Sequence, residues 1–216
     1  SEIYMEKMKF NYNQIDKGYY HDIYNKKNPR SNWHKIKFNK VLNSIKKDTF
    51  HNGILDYGCG PGTFLNLSNS KFKVGYDIAE DQLSFARKLV TDAQFTSNHS
   101  FLESQFKNIS HIVACELIEH LNKDQIIKLL DLVKIIVDKR LDNMLSTSFL
   151  ITTPNYRSLW PLLEIFVDLV SRQNYRAQHI SKFNPSLIHN LLNNHFSKNV
   201  YDYTLHVSSF QGFSWI

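Results

Sequence analysis

The stretch Gly53-Ile-Leu-Asp-Tyr-Gly-Cys-Gly-Pro-Gly62 decides how the rest of the chain is interpreted. It begins with a short apolar run that contains one acid, which is typical of a buried strand, and its glycines then alternate at 58, 60 and 62. The first of these permits a sharp turn, the second lets the backbone approach a ligand without an intervening Cβ, and the third allows close packing as a helix begins. The stretch therefore predicts a strand, a glycine turn with a ligand against it, and a helix.

The spacing of the glycines narrows the kind of ligand. The order GxGxG is not the GxGxxG that leads a pyrophosphate onto a helix N-terminus, and it lacks the lysine of GxxxxGK[ST]. Asp77 ends the next predicted strand, 21 residues after Asp56, where an acid accepts hydrogen bonds from the two hydroxyls of a ribose. The pattern disfavours a phosphate cradle and indicates a nucleoside-bearing ligand.

Outward from the glycine turn, short apolar strands alternate with helices. The expected strands are residues 53–57, 72–77, 93–97, 110–115, 148–153 and 199–207. The expected helices run from the turn to about Asn69, from about Ala79 to Val90, over Asp124–Asp138, over Leu159–Leu169, and from Asn184-Pro185 to about Asn194. This alternation predicts parallel βαβ units with right-handed crossovers, and hence an α/β fold with a doubly wound sheet.

The chain upstream of the glycine turn differs in composition. Residues 1–30 are polar with interspersed tyrosines, and an amphipathic helix with Asn32 as its N-cap follows. We expect residues 1–48 to form an N-terminal helical cap and residues 49–216 to form one globular domain.

Composition limits the class of protein. The 216 residues are 42% hydrophobic and 21% charged, as in an ordinary folded domain, and no run of 18 apolar residues indicates a membrane span. The start lacks the apolar core of a secretory signal, and the two cysteines, Cys59 and Cys115, form no disulfide framework or zinc pattern. The net charge of +6 is scattered, so nucleic-acid binding is permitted but not indicated. We expect a cytoplasmic protein.

Three segments together resemble the class I S-adenosylmethionine-dependent methyltransferases. They are Ile54–Thr63, Val74–Ile78 and Ile112–Leu121, and the likeness continues in order through Ile151–Asn155 and Gln178–Pro185. The nearest branch by this likeness includes the ubiquinone-biosynthesis O-methyltransferases. The resemblance implies a mostly parallel seven-stranded sheet, with S-adenosylmethionine as cofactor and S-adenosylhomocysteine as product.

The resemblance also implies which residues hold the cofactor. Asp56 and the turn would bind the methionine end, Asp77 the ribose, and Ile78 the adenine, while Cys115 and Glu116 would line the methyl-bearing pocket. The full expected set is Asp56, Gly58, Cys59, Gly60, Asp77, Ile78, Asn98, Cys115 and Glu116.

Asn98 enters that set as a replacement. Many relatives carry an Asp after the third strand that takes the adenine amine, whereas this chain has Thr96-Ser-Asn-His99. The side-chain carbonyl of Asn98 can accept from an exocyclic NH₂, but without the charge assistance of a carboxylate. A purely local role for this loop asparagine stays equally open.

The segment Glu116-Leu-Ile-Glu-His120 directly follows the fourth predicted strand, at the edge where open α/β sheets bind ligands. Three interpretations compete. The polar side chains orient the loop; or His120 or Glu116 acts as a general base; or the cluster binds a divalent ion with His179, as a similar Glu-x-x-Glu-His does in small-RNA 2′-O-methyltransferases. We expect His120 and Glu116 to be catalytic and no metal to be bound.

The cap supplies aromatic residues for a lid, and its Arg30, His34 or Lys37 could meet the cofactor's carboxylate. The apolar run after Pro154 is mostly core but could also line a hydrophobic acceptor pocket or a membrane-facing lip, and the end at Ser208–Ile216 indicates a truncated chain. The leading functional hypothesis is methyl transfer to a small-molecule, lipid or glycan acceptor. RNA methylation with a metal-assisted site and a catalytically silent cofactor-binding scaffold are the alternatives.

Overall fold

The computed structural model describes residues 15–46, 53–162, 164–165, 178–196, 208–210 and 213–215. The helices are Tyr19–Asn25 (α1), Pro29–Lys46 (α2), Thr63–Leu67 (α3), Glu80–Leu89 (α4), His99–Ser104 (α5), Lys123–Leu141 (α6) and Pro185–His195 (α7). The strands are Gly53–Tyr57 (β1), Phe72–Tyr76 (β2), Gln94–Thr96 (β3), His111–Cys115 (β4), Ser148–Thr152 (β5), Ser208–Phe210 (β6) and Phe213–Trp215 (β7). Residues 118–120 form a 3₁₀ turn, and residues 160–162 and 164–165 are helical.

The sheet has the order β3-β2-β1-β4-β5, so β1 lies at its centre. The pairs β1–β2, β1–β4 and β2–β3 are parallel, and every residue of β1 is buried. A strand that is buried throughout has both faces covered, which is why this segment is apolar without alternation. The doubly wound α/β architecture predicted from the sequence is confirmed. Because β1, β2 and β4 run the same way, their carboxyl ends lie at one edge of the sheet.

The expected number of strands is wrong. The sheet contains five strands rather than seven among the described residues, and β6 and β7 pair only with each other, antiparallel, as a separate two-stranded unit. Residues 211 and 212, which connect these two strands, are too few for the crossover connection that a parallel pair requires. The strand expected at residues 199–207 lies outside the described residues.

The upstream helix begins earlier than expected. Pro29 is the first residue of α2, and the side chain of Asn28 accepts a 2.8 Å hydrogen bond from the Ser31 N–H, so Asn28 rather than Asn32 is the N-cap. Proline suits this first position because its missing N–H would have had no partner there. The same logic is confirmed downstream, where Asn184 caps α7 by accepting from the Leu187 N–H and Pro185 follows it.

The helix α2 packs on the central strand. Its Val41, Leu42 and Ile45 form a buried cluster with Ile54 of β1 and Phe64 of α3. The described part of the N-terminal segment is therefore held by the same apolar burial as the sheet. The boundary predicted at residue 48 stays a prediction.

The contacts of the chain define two compact units. One contains the described residues 15–46, 53–115 and 132–150, and the other contains residues 116–131, 151–162, 164–165, 178–196 and the β6–β7 pair. None of the helices in the described ranges is long and apolar enough to cross a bilayer.

Candidate functional site: a glycine loop and a histidine cluster

The glycine loop after β1 is a run of left-handed turns. Gly58, Gly60 and Gly62 have φ values of 84°, 49° and 76°, a region that residues with a Cβ rarely enter. The N–H groups of Gly58 and Cys59 both donate to the carbonyl of Tyr76, at 2.7 and 3.0 Å. The loop is thus tied to the end of β2. Its positive φ values explain why alternate glycines follow β1.

Asp77 clasps the loop from the other side. Its Oδ2 accepts from the Gly60 N–H at 2.8 Å, and its Oδ1 accepts from the Ala79 N–H at 2.9 Å. Burial raises the pKa of Asp77, although these backbone hydrogen bonds act in the opposite direction. Each carboxylate oxygen can accept more than one hydrogen bond, so the clasp leaves capacity for the hydroxyls of a ribose.

Two glycines of the loop have opposite surroundings. A Cβ built on Gly60 would meet no atom within 4 Å, whereas one built on Gly62 would lie 3.0 Å from the Cβ of Ala86 and 3.3 Å from the ring of Phe95. Gly62 is therefore required for close packing against α4. The open space over Gly60 is what the expected approach of a ligand to bare backbone requires.

Asp56 lies in β1, next to the loop, and is 3% exposed. Burial, together with the charge of Asp77, raises the pKa of Asp56 to about 8. A carboxyl group with this pKa is mostly protonated in neutral solution, unless a neighbouring cation stabilises its ionised form. The site therefore favours a positively charged ligand group next to Asp56.

The two residues expected to contact the adenine differ in the structure. Ile78 is 65% exposed, although it follows a buried strand, and so presents an apolar surface beside the clasp. The side chain of Asn98 accepts a 3.0 Å hydrogen bond from the Ser100 N–H and caps α5. The structure thus gives Asn98 the local role that the sequence left open, and its contact with an adenine stays a prediction.

The N-terminal segment reaches the helices beside the loop. The Nδ1 of His21 lies 3.2 Å from the hydroxyl of Thr63, the first residue of α3, and Gln82 of α4 donates to the carbonyls of Ile15 and Asp16. Burial raises the pKa of Tyr20 to about 12, and the charge of Asp77 acts in the same direction. The described part of the N-terminal segment therefore lies next to the Asp77 side of the loop.

The three cationic candidates of the cap are not equivalent. Lys37 is fully buried, with its Nζ 4.0 Å from the centre of the Trp33 ring, and burial lowers the pKa of His34 well below its usual value. Arg30 is the exposed one of the three. A role of Arg30 toward the cofactor's carboxylate stays a prediction, and Lys37 contributes to the packing of the cap.

Beyond β4 the backbone turns sharply. Glu116 has a φ of 50°, which is rare for a residue with a Cβ, and its N–H donates to the carbonyl and the hydroxyl of Thr152, at 2.9 and 3.1 Å. Cys115 and Glu116 are each partly exposed. Their expected place in the methyl-bearing pocket stays a prediction.

Three of the residues downstream of β4 converge. Glu119, His120 and His179 each bring one ligand-type atom to within 4.8 Å of the other two, and the two imidazole rings lie 4.8 Å apart, centre to centre. We call these three residues the histidine cluster. Glu116 is not one of its members.

The backbone and a hydroxyl orient two members of the cluster. The Nδ1 of His120 lies 2.8 Å from the carbonyl oxygen of Gln178, which can only accept, so Nδ1 carries the proton. The hydroxyl of Thr153 donates to Oε2 of Glu119 at 3.0 Å. Neutral His120 therefore has its lone pair on Nε2.

His179 is oriented by a second buried acid. Oε1 of Glu164 lies 2.5 Å from Nδ1 of His179. The same oxygen also accepts from the Tyr156 hydroxyl and, at 3.0 Å, from the indole N–H of Trp160. Burial acts to raise the pKa of Glu164, but the hydrogen bonds from His179, Tyr156 and Trp160 outweigh it and lower the pKa. The ionised carboxylate thus holds the proton of His179 on Nδ1.

Glu164, Tyr156 and Thr153 are absent from the site predicted from the sequence. One signal could have identified Glu164, since it interrupts the apolar run Leu159–Val170 and an acid in such a run must find partners when it is buried. Tyr156 and Thr153 offer no comparable signal, because hydroxyl groups are common in loops.

Comparison with known proteins shows a methyltransferase domain and solved structures of the same fold. Residues 50–155 match the family model for a methyltransferase domain, and no curated protein matches the sequence. Two solved structures align with a TM-score of 0.60: magnesium protoporphyrin IX methyltransferase of Synechocystis PCC 6803 with bound S-adenosylhomocysteine (12% identity, 91% of this chain and 89% of that one) and the PH0226 protein of Pyrococcus horikoshii OT3 (15%, 87% and 90%). A methyltransferase of Archaeoglobus fulgidus aligns with a TM-score of 0.52 (19%, 74% and 67%).

The family match, the sheet order and the clasped glycine loop define an S-adenosylmethionine-dependent methyltransferase. Residues 50–155 carry a methyltransferase domain, and solved structures that share its fold hold S-adenosylhomocysteine or S-adenosylmethionine. The resemblance to the ubiquinone-biosynthesis branch stays a prediction.

Proposed function

We propose that the enzyme moves the methyl group of S-adenosylmethionine to a small-molecule, lipid or glycan acceptor. The observation that carries the proposal is the loop whose Gly60 N–H is clasped by Asp77, with open space above Gly60. When bound, the cofactor supplies an electrophilic methyl group on a cationic sulfur. The acceptor's O, N or C atom forms the new bond to the methyl carbon, the carbon–sulfur bond breaks with its electron pair going to sulfur, and S-adenosylhomocysteine leaves.

The cofactor roles follow from charge and exposure. Asp56 meets the ammonium group of the methionine end, because its buried carboxyl group needs a cation to ionise. Asp77 accepts from the ribose hydroxyls with the capacity that the clasp leaves, and the exposed Ile78 covers one face of the adenine. The backbone at Gly58 and Gly60, with Cys59 between them, forms the floor of the site.

On the acceptor side we propose Cys115, the last residue of β4, with Glu116 and His120 just after it, at the edge where α/β sheets bind ligands. His120 acts as the general base and takes the proton that the acceptor loses. Most of the acceleration comes from positioning and water exclusion, which supply ~7 to 11 kcal/mol in well-oriented reactions.

An apolar surface supports an acceptor with a hydrophobic part. Leu159, Leu162 and Ile165 lie within seven residues of one another and are 50%, 62% and 42% exposed. Contiguous apolar patches on a surface mark binding sites more often than scattered residues do, and we propose that these three form such a patch.

The first test measures cofactor binding. Calorimetry should show that S-adenosylmethionine and S-adenosylhomocysteine bind, and both should raise the melting temperature, because a ligand selective for the folded state stabilises it by mass action. NAD serves as the control nucleotide and should do neither. The absence of heat and of a thermal shift at millimolar cofactor would contradict the proposal.

The second test identifies the acceptor class. The protein is incubated with methyl-labelled S-adenosylmethionine and a cell extract, which is then separated into organic-soluble, aqueous small-molecule, glycan and RNA fractions. We expect label in one of the first three. Ribonuclease-sensitive label in the RNA fraction would overturn the acceptor class while leaving methyl transfer intact.

A further inference from the structure

A groove lies between the helices α6 and α7. Upstream of both helices, the hydroxyl of Ser181 donates to the carbonyl of Leu121 at 2.7 Å. Further along, Nε2 of His195 in α7 lies 3.1 Å from Oδ1 of Asp131 in α6. The two helices therefore run side by side in the same direction. The α6–α7 groove between them has a volume of about 510 Å³, within the roughly 300 to 1,000 Å³ that is usual for small-molecule sites.

The floor of the α6–α7 groove is apolar. Ile126 and Phe183 are buried beneath it, and Ile127 and Leu191 line it from the two helices. Ile127 is 38% exposed, so the groove leaves part of an isoleucine side chain in contact with water. A ligand with an apolar part would remove this surface from water, which is favourable.

The two ends of the groove differ in charge. Lys123 and Lys182 line it near the starts of the two helices, and both are exposed. Neither lysine forms an ion pair with any residue of the described ranges. At a rise of ~1.5 Å per residue, Asp131 lies ~12 Å further along α6 than Lys123, and its carboxylate already faces His195. One end therefore offers two ammonium groups to an anion, and the other end does not.

Hydrogen bonds hold the lysine end of the groove in place. The N–H of Ser181 donates to the carbonyl of Glu119 at 2.9 Å, in addition to the hydroxyl contact described above. The side chain of Asn122 accepts from the N–H of Gln125 and so caps the start of α6, as Asn184 caps α7. A site whose backbone is fixed in advance loses less conformational freedom when a ligand binds.

We propose that the α6–α7 groove binds a small amphiphile with an anionic head group. The carboxylate or phosphate of the ligand lies at Lys123 and Lys182, and its alkyl chain lies along the apolar floor. Charge complementarity selects the anion, because two lysines without an acidic partner attract it and repel a cation. The carboxylate of Asp131 at the far end disfavours the reversed orientation. No groove residue belongs to the set expected to hold the cofactor, and the binding does not rest on the proposed function.

Calorimetry on the full chain tests the proposal with decanoate, below the concentration at which it forms micelles. We expect one equivalent to bind with a Kd below about 1 mM. Added salt should weaken the binding, because it screens exposed charges. Decyltrimethylammonium, with the same chain length and the opposite charge, should bind at least about fivefold more weakly. No binding of decanoate at millimolar concentration, or equal binding of the two amphiphiles, would overturn the proposal.

Two further probes distinguish the sources of the same chemistry. Inorganic phosphate supplies the anion without the chain, and vesicles of phosphatidylglycerol supply the head group and the chain within a bilayer. We expect decanoate to bind more tightly than inorganic phosphate. Equal binding of these two would mean that the apolar floor is not used, and binding to vesicles without binding to decanoate would indicate a membrane-facing surface. Either result would overturn the proposal.

Variants locate the site. The double variant Lys123→Gln/Lys182→Gln should weaken decanoate binding about 3- to 20-fold and reduce its salt dependence. Ile127→Ser should weaken it about 3- to 10-fold, because the chain loses an apolar contact. Lys128→Gln and Leu187→Ser are the matched controls, since these exposed residues of the same helices do not line the groove. Both controls should bind decanoate like the wild type.

All the substituted residues are exposed, so we expect each variant to keep the circular dichroism spectrum of the wild type. If Ile127→Ser does not fold, the double lysine variant decides alone. Unchanged decanoate binding in the folded groove variants, or an equal loss in the controls, would place the ligand elsewhere and overturn the assignment.

Titration of the same protein with S-adenosylmethionine keeps this site apart from the proposed function. Decanoate binding without cofactor binding supports the groove and contradicts methyl transfer. Cofactor binding without decanoate binding overturns the groove and leaves methyl transfer standing.

Discussion

Buried carboxyl groups lie next to both the glycine loop and the histidine cluster, but in opposite electrostatic surroundings. Burial and mutual repulsion raise the pKa of Asp56, and burial raises that of Asp77. Glu164 behind the cluster is buried too, yet three donors outweigh that effect and lower its pKa. The difference shows that burial alone does not set the protonation state of an acid. Among the described residues no cation acts on the pKa of Asp56, and a ligand can bring one, whereas hydrogen-bond donors already surround Glu164.

His120→Ala should have the largest effect and should separate the two regions. We expect turnover on the identified acceptor to fall by ~10²- to 10⁴-fold while calorimetry shows unchanged cofactor affinity, because the residue serves the acceptor's proton and not the loop. His189→Ala is the control for a lost imidazole. A variant that loses stability but keeps its rate would instead mean that His120 only orients its loop.

Asp77→Ala should act on the other region alone. Cofactor affinity should fall by ~1 to 3 kcal/mol, because the ribose hydroxyls lose a charged acceptor and the Gly60 N–H loses its clasp. Asp81→Ala on α4 removes a half-exposed acid that pairs with Lys17, and it should change cofactor affinity by less than about 0.5 kcal/mol. Equal binding by Asp77→Ala and wild type would show that the acid at the end of β2 is not part of the cofactor site.

Alanine substitutions at Gly60 and Gly62 should separate ligand binding from packing in the loop. Both positions have positive φ, so an alanine costs roughly 1 to 2 kcal/mol of backbone strain at either. Gly62→Ala should lower the melting temperature more than Gly60→Ala does, because its Cβ meets Ala86. Gly60→Ala should instead weaken cofactor binding about tenfold, or ~1.4 kcal/mol, because its Cβ enters the open space. Thermal unfolding and calorimetry on both variants test this. The reverse ranking would place the ligand away from Gly60.

The loop was predictable from the sequence because its parts are local. The strand, the alternate glycines and Asp77 fall within 25 residues, and each has a conformational reason that the residue type itself reveals. The apolar periodicity of α2 starts after Asn32 and therefore predicts the wrong N-cap residue. The pair Asn28-Pro29 is the signal that locates the true start of the helix.

The histidine cluster was only partly predictable because tertiary structure assembles it. Glu119 and His120 are adjacent, but His179 follows 59 residues later, and its partner Glu164 looks in the sequence like an interruption of an apolar helix. Nothing in the spacing indicates that the Gln178 carbonyl fixes the tautomer of His120. The strand count failed for a related reason, since which strands pair is decided by contacts distant in sequence.

A further expected effect is a pH dependence that belongs to Asp56, next to the loop. The pKa of Asp56 is about 8 in the folded chain and ~3.9 in an unfolded one, so between those values the folded state binds the extra proton. Its contribution to stability is fully present below about pH 4 and is lost as the pH rises toward 8, with a slope of at most ~1.4 kcal/mol per pH unit. Thermal unfolding of the cofactor-free protein from pH 5 to 8 should therefore show a decline in stability. Asp56→Asn, an uncharged match for the protonated acid, should reduce this decline, while Asp81→Asn should leave it unchanged.

Because an ammonium group beside Asp56 favours its ionised form, binding of S-adenosylmethionine at pH 7 should release up to about one proton, measurable by calorimetry in buffers of different ionisation enthalpy. A variant Asp56→Asn with the wild-type pH profile and the wild-type proton release would show that this carboxyl group does not face the cationic end of the cofactor.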